Sequence, residues 1–115
     1  MSVTIYHNPR CSKSRQTLAL LEQKGVKPRI VHYLDNPPSV SELTAIVAKL
    51  GVGARGIIRT GEAAYKELGL GDISKPDTVV IKAMVDNPIL IERPIVVNGA
   101  KAAIGRPPNA VLSIL

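Results

Sequence analysis

In its N-terminal third the chain reads strand, helix, strand, and that order limits what it can fold into. Val3–Tyr6 is a short β-branched run ending before the turn residues Asn8-Pro9, which predicts a first strand. Lys13–Lys24 contains neither glycine nor proline, is rich in Leu, Ala and Gln, and stops at Gly25. That is the pattern of a helix closed by a C′ glycine. Arg29–Leu34, bounded by Pro28 and by Asn36-Pro37-Pro38, predicts a second strand. Two strands joined by one helix form a βαβ unit, whose crossover makes the strands parallel. The expected fold class is therefore α/β.

A helical stretch follows. Ser39-Val40-Ser41-Glu42 is a capping box, and Leu43, Ile46, Val47 and Leu50 share one helical face before Gly51. Ala63–Leu68 predicts a short helix stopped by Gly69. A further helix start falls at Ser74-Lys75-Pro76-Asp77, with Val80, Ala83 and Met84 on one face and Asn87-Pro88 as the stop. The C-terminal part returns to strands: Pro94–Val97, the hairpin pair Asn98-Gly99, and Ala102–Ile104. Pro107-Pro108 then opens a last short helix through Val111, Leu112 and Leu115. The predicted order is β-α-β, a helical insert from about 39 to 88, then β-β-α. At roughly 100–200 residues per domain, residues 1–115 are expected to form one.

Composition narrows the function classes. Apolar residues make up 45% of the chain, as in a packed core, yet there is no Phe or Trp and only three tyrosines. Few stacking platforms exist for bases, which argues against single-strand nucleic-acid binding. The 15 Lys+Arg against 9 Asp+Glu leave a net charge of +6, which alone is compatible with nucleic acid, an anionic substrate or solubility. No run approaches the ~18 apolar residues of a membrane span. Met1–Thr4 lacks a basic region before an apolar one, so no signal peptide is read and the reducing cytoplasm is expected.

The chain's one cysteine lies in His7-Asn8-Pro9-Arg10-Cys11-Ser12-Lys13-Ser14-Arg15, a loop leaving a strand and entering a helix. It permits no intramolecular disulfide and no Cys-rich zinc site, and His7 and His32 have no clustered ligands in sequence. A free cysteine, with a pKa of about 8.5, is only a few per cent thiolate at neutral pH. A helix N-terminus and the neighbouring Arg10, Lys13 and Arg15 favour the anion, so a reactive thiolate is expected at Cys11. His7 is placed either to hydrogen-bond that thiolate or to orient the loop. Ser14 is placed to donate to the sulfur or to cap the first turn. Without a second cysteine, turnover needs a partner thiol. Arg59 follows Ile57-Ile58, Arg93 precedes Pro94, and Arg106 sits between Gly105 and Pro107, none on an obvious charged helix face. A planar fork of five donors suits bidentate grip on an oxyanion.

HNPRCSKSR, ERPIVV and IGRPP, with DNPP and MVDNPIL between them, resemble the glutaredoxin-linked arsenate reductase family along essentially the whole chain. RCSK is closest to a shorter branch of it. The resemblance implies a thioredoxin-like fold with a helical insert. It implies Cys11 as the catalytic cysteine, and Arg59, Arg93 and Arg106 as ligands of the oxyanion and its thiol adduct. His7, Ser14 and Arg15 would support the thiolate, and Pro94 would be a cis-proline. Arsenate would be reduced to arsenite through an arsenic adduct on Cys11, with glutathione as co-substrate and glutaredoxin as partner. No tightly bound cofactor, metal, nucleic acid or membrane is implied.

Two other readings compete. Regulators that bind RNA polymerase share this fold but often carry a C-x-x-C redox switch, whose second position here is Ser14. A monothiol glutaredoxin-like protein is compatible with C-x-x-S, yet three arginines point to an inorganic anion. A tyrosine-phosphatase loop would need an arginine where Thr17 stands, six residues after Cys11.

Overall fold

The structure, a computed structural model, describes residues 2–115. The chain divides into two compact units: the residues up to Asn36 with Arg93–Leu115, and Pro37–Glu92.

The first unit is a four-stranded sheet with one α-helix. Strand β1 is Val3–His7, helix α1 Ser12–Gln23, β2 Arg29–His32, β3 Ile95–Asn98 and β4 Lys101–Ile104. The strand order is β2-β1-β3-β4. β1 and β2 are parallel, as the βαβ pattern predicts, while β3 is antiparallel to both β1 and β4. β1 alternates buried and half-buried positions, placing Val3, Ile5 and His7 on one face. On α1, Ser14, Thr17 and Leu21 recur at i, i+3 and i+7, and all three are buried. Val3, Ile5, Val96 and Leu21 form a core cluster with Val111 and Ile114 of the C-terminal segment. The two periodicities therefore turn His7 of β1 and Ser14 of α1 into the same interior.

Two expectations at the C-terminal end are corrected. The hairpin pairs Asn98 with Lys101, so its two-residue loop is Gly99-Ala100 rather than Asn98-Gly99. Gly99 alone has positive φ (60°), the pattern of a type II′ turn. Asn98 is drawn into the interior instead, and its Nδ2 donates to Ile114 O at 2.6 Å, tying the C-terminal segment to the sheet. That segment, Pro108–Ile114, is a 3₁₀ helix rather than an α-helix.

The second unit contains α2 Val40–Leu50, α3 Ala63–Glu67 and α4 Asp77–Asp86, with 3₁₀ turns at Ala54–Gly56 and Pro88–Leu90. The Ser39–Glu42 capping box is present, and Leu43, Ile46 and Val47 are buried. Gly51 closes α2 at φ 71°, a left-handed conformation that side chains with a Cβ disfavour. α4 begins at Asp77, later than the Ser74 start expected, because Pro76 takes the extended N-cap position. The segment after Gly56 pairs with the end of the unit through Arg59 N to Leu90 O (2.7 Å) and Glu92 N to Ile57 O (2.8 Å).

Sequence reading assigned nothing to Arg55, which proves to organise the loop after α3. Its guanidinium donates to three carbonyls, Leu70 O (2.6 Å), Asp72 O (2.8 Å) and Lys75 O (3.2 Å). A single ammonium lacks that fork, so lysine is a poor substitute. Arg55→Ala should lower stability by about 1–2 kcal/mol, several degrees of melting temperature. A melt within about 1 °C of wild type would remove this role.

Candidate active site

The turn between β1 and α1 presents the cysteine. Cys11 N donates to Asn8 O (3.0 Å), closing the turn, and Arg15 N donates to Cys11 O (3.0 Å), starting the helix. Cys11 is thus the N-cap of α1, with extended backbone (φ −92°, ψ 124°). Its side chain makes no capping hydrogen bond and is half-buried, so the sulfur is reachable at the end of the helix.

A hydrogen-bond network holds this loop from beneath. Ser14 Oγ lies 2.6 Å from His7 Nδ1 and accepts from Asn8 N at 3.0 Å. Its one proton is then available to the imidazole. Asn8 Oδ1 accepts from Arg10 N (3.0 Å), and Arg15 Nη1 donates to Pro9 O (2.9 Å). The bonds of His7, Ser14 and Arg15 therefore go to one another and to the loop backbone. The hydrogen bonds of these residues therefore shape the loop that carries the sulfur.

The structure also brings together two histidines that the sequence keeps apart. His7 and His32 occupy paired positions at the ends of β1 and β2, with ring centroids 6.0 Å apart. Among the described residues, no group of three or more His, Cys, Asp or Glu could hold a metal ion. Burial first, then His32 and Arg15, lower the pKa of His7 from its ordinary 6.5. The native state thus keeps His7 neutral at pH values where the unfolded chain begins to protonate it. Its contribution to stability is complete above pH 6.5 and declines as pH falls through the lower folded-state value. Urea midpoints should fall on acidification below pH 6.5, with a shallower fall in His7→Gln. Equal slopes in the two proteins would refute the assignment.

Arg106 reaches the sulfur from the far end of the chain. Its Nη1 lies 3.8 Å from Cys11 Sγ and donates to Arg93 O at 3.1 Å. The backbone beneath it is tightly packed. Gly105 N donates to Pro94 O (2.9 Å), and a Cβ on Gly105 would collide with Thr17 Oγ1 and lie 2.8 Å from Pro94 Cγ. The absence of that Cβ lets the strand end close on α1. Thr17, buried and donating to Lys13 O (2.8 Å), lines this junction. Both Arg93-Pro94 and Arg106-Pro107 are cis, the first as the resemblance implies. Nε and Nη1 of Arg93 are shielded from solvent. Arg59 belongs to the second unit, where its Nη1 lies 3.2 Å from Glu62 Oε1. Of the three predicted arginines, then, the first unit assembles Arg93 and Arg106 with Cys11.

A cysteine at a strand-to-helix N-cap, with a cis-proline starting a neighbouring strand, defines a thioredoxin-like thiol protein. The arginine on its sulfur sets it apart from a simple disulfide exchanger. Residues 6–114 match the model of the ArsC family. The chain is 53% identical over 116 residues to the arsenate reductase of Haemophilus influenzae, covering 100% of both. It is 42% identical over 114 residues to an arsenate reductase of Escherichia coli, covering 99% of this chain and 81% of that protein. The solved arsenate reductase of Vibrio cholerae superposes with a TM-score of 0.96 at 52% identity, covering 100% of this chain and 98% of that one. The protein belongs to the ArsC family and has its thioredoxin-like fold.

Proposed function

We propose that this protein reduces arsenate to arsenite with Cys11 as nucleophile. The observation that carries the reading is the placement of Arg106 Nη1 between Cys11 Sγ (3.8 Å) and Arg93 O (3.1 Å). A fixed cation at the nucleophile is where an oxyanion and its sulfur adduct need charge neutralised. Arg93 is the second proposed oxyanion ligand of this unit, and Arg59 is assigned to the oxyanion by the family resemblance alone.

The Cys11 thiol attacks arsenic(V), forming an S–As bond as one arsenate oxygen leaves as water. Glutathione then displaces a second oxygen as water, giving an arsenic(V) centre bridged by two sulfurs. A further thiol, supplied by glutaredoxin, attacks the glutathione sulfur. A disulfide forms, and the electron pair of the broken S–As bond reduces arsenic to the trivalent state. Water releases arsenite and returns the Cys11 thiol. Two thiols are oxidised to one disulfide for each arsenate, and none of those electrons comes from a second cysteine of this chain, which has one. Such a cycle belongs in the reducing cytoplasm.

The test is NADPH oxidation in a mixture of the protein, glutathione, glutaredoxin, glutathione reductase and arsenate. Arsenate-dependent consumption is expected, and its absence in the wild type would sink the reading.

A further inference from the structure

Two cationic side chains beside Cys11 take no part in the loop's own structure, although the backbone N of Arg10 and O of Lys13 do. Arg10 and Lys13 are exposed, and among the described residues neither side chain has a hydrogen-bond or ion-pair partner. Their neighbours differ: Arg15 is tied to Pro9 O and Arg106 to Arg93 O. Removing Arg10 or Lys13 therefore costs the fold nothing that the structure records. One acid, Asp35, lines the same cleft of about 290 Å³ as Arg10, together with His7 and His32. Arg10 and Lys13 are one and two residues from Cys11, and consecutive Cα atoms are 3.8 Å apart. Their backbone thus lies within a Debye length of about 8 Å at physiological ionic strength.

We propose that Arg10 and Lys13 form the docking surface for a small anionic thiol, one carrying carboxylates, that resolves the adduct on Cys11. The inference rests on the reading of Cys11 as the nucleophile. With one cysteine in the chain, the resolving thiol must arrive from solution. It arrives at an adduct that itself carries oxyanion charge, so an anionic thiol is repelled unless local cations offset that charge. In the proposed mechanism Arg93 and Arg106 are taken up by the adduct, and Arg15 is tied to Pro9 O. Arg10 and Lys13 are the exposed cations left to meet carboxylates, and a carboxylate-bearing thiol gains from them what a neutral or cationic one does not.

The first experiment needs no arsenic. Cys11 is alkylated with anionic iodoacetate and with neutral iodoacetamide, in wild type and in Arg10→Glu/Lys13→Glu. The ratio of the two rates cancels the thiolate fraction and reads the local field. It should fall about tenfold in the double variant and about threefold in either single one, with the wild-type excess shrinking as salt rises. An unchanged ratio would overturn the surface. The second experiment converts Cys11 to a mixed disulfide with 2-mercaptoethanol and follows its cleavage by glutathione or by cationic cysteamine. Comparing wild type with variant cancels each thiol's intrinsic reactivity. The glutathione-to-cysteamine ratio should fall in the variant. If alkylation responds but this ratio does not, the small-thiol assignment is overturned in favour of an acidic protein surface. Both readouts stand apart from arsenate turnover, so a failure of the arsenate reading leaves them measurable.

Discussion

Cys11→Ser should lower arsenate-dependent turnover by about a thousandfold or more while leaving the fold intact. The hydroxyl is a far weaker nucleophile than a thiolate at neutral pH, and the chain holds no other cysteine to substitute. The structural cost is small because the Cys11 side chain is half-buried, makes no capping hydrogen bond, and touches Arg106 at 3.8 Å. Serine is moreover a favoured N-cap residue, so α1 gains if anything. The melting temperature should stay within about 2 °C of wild type. Retained arsenate-dependent turnover in this variant would break the mechanism at its first step. A collapsed melt would show instead that Cys11 is a core residue.

Arg106→Ala should reduce kcat/KM for arsenate by about a hundredfold, equivalent to ~2.7 kcal/mol of transition-state stabilisation. Its Nη1 spans the nucleophile and Arg93 O, so one guanidinium both neutralises charge at sulfur and fixes the geometry of the strand end. Arg106→Lys should recover only part of the loss. A lone ammonium cannot keep the carbonyl bond and present a further N–H to the oxyanion in the same plane. Arg106 is exposed, so losing its bond to Arg93 O should cost no more than about 1 kcal/mol of stability. Steady-state kinetics with arsenate varied at saturating glutathione make the comparison. A kcat/KM within about threefold of wild type would remove Arg106 from the site.

The candidate site was legible to different depths. Cys11 and its loop stand out because nine consecutive residues carry the signal and a strand-to-helix turn is a local event. The capping box and the Gly51 stop follow from chemistry between neighbours, and the structure reproduces both. The Asn98-Gly99 pair misplaced the turn by one residue because Asn98 is claimed by a distant acceptor, Ile114 O. Arg55 was invisible for the same reason: its three partners are Leu70, Asp72 and Lys75, carbonyls that any residue could supply. Ser14 illustrates the intermediate case. Its position in the sequence left open a bond to the sulfur or a first-turn cap, but helical periodicity buries it against β1, where His7 and Asn8 take its hydroxyl.

By itself the sequence determines what depends on residue type and short spacing. The parallel βαβ start, the single cysteine at a helix N-terminus and the excess of positive charge all belong here. The tertiary structure alone decides which long-range partners those residues meet. It sets His7 beside His32 across two parallel strands, and it brings Arg106 to Cys11 over 95 positions of sequence. The reason is physical. Strand and helix formation are governed by neighbours within a turn or a pleat. The meeting of Arg106 with Cys11 requires the sheet order β2-β1-β3-β4 and the close approach at Gly105, both products of the whole chain packing at once.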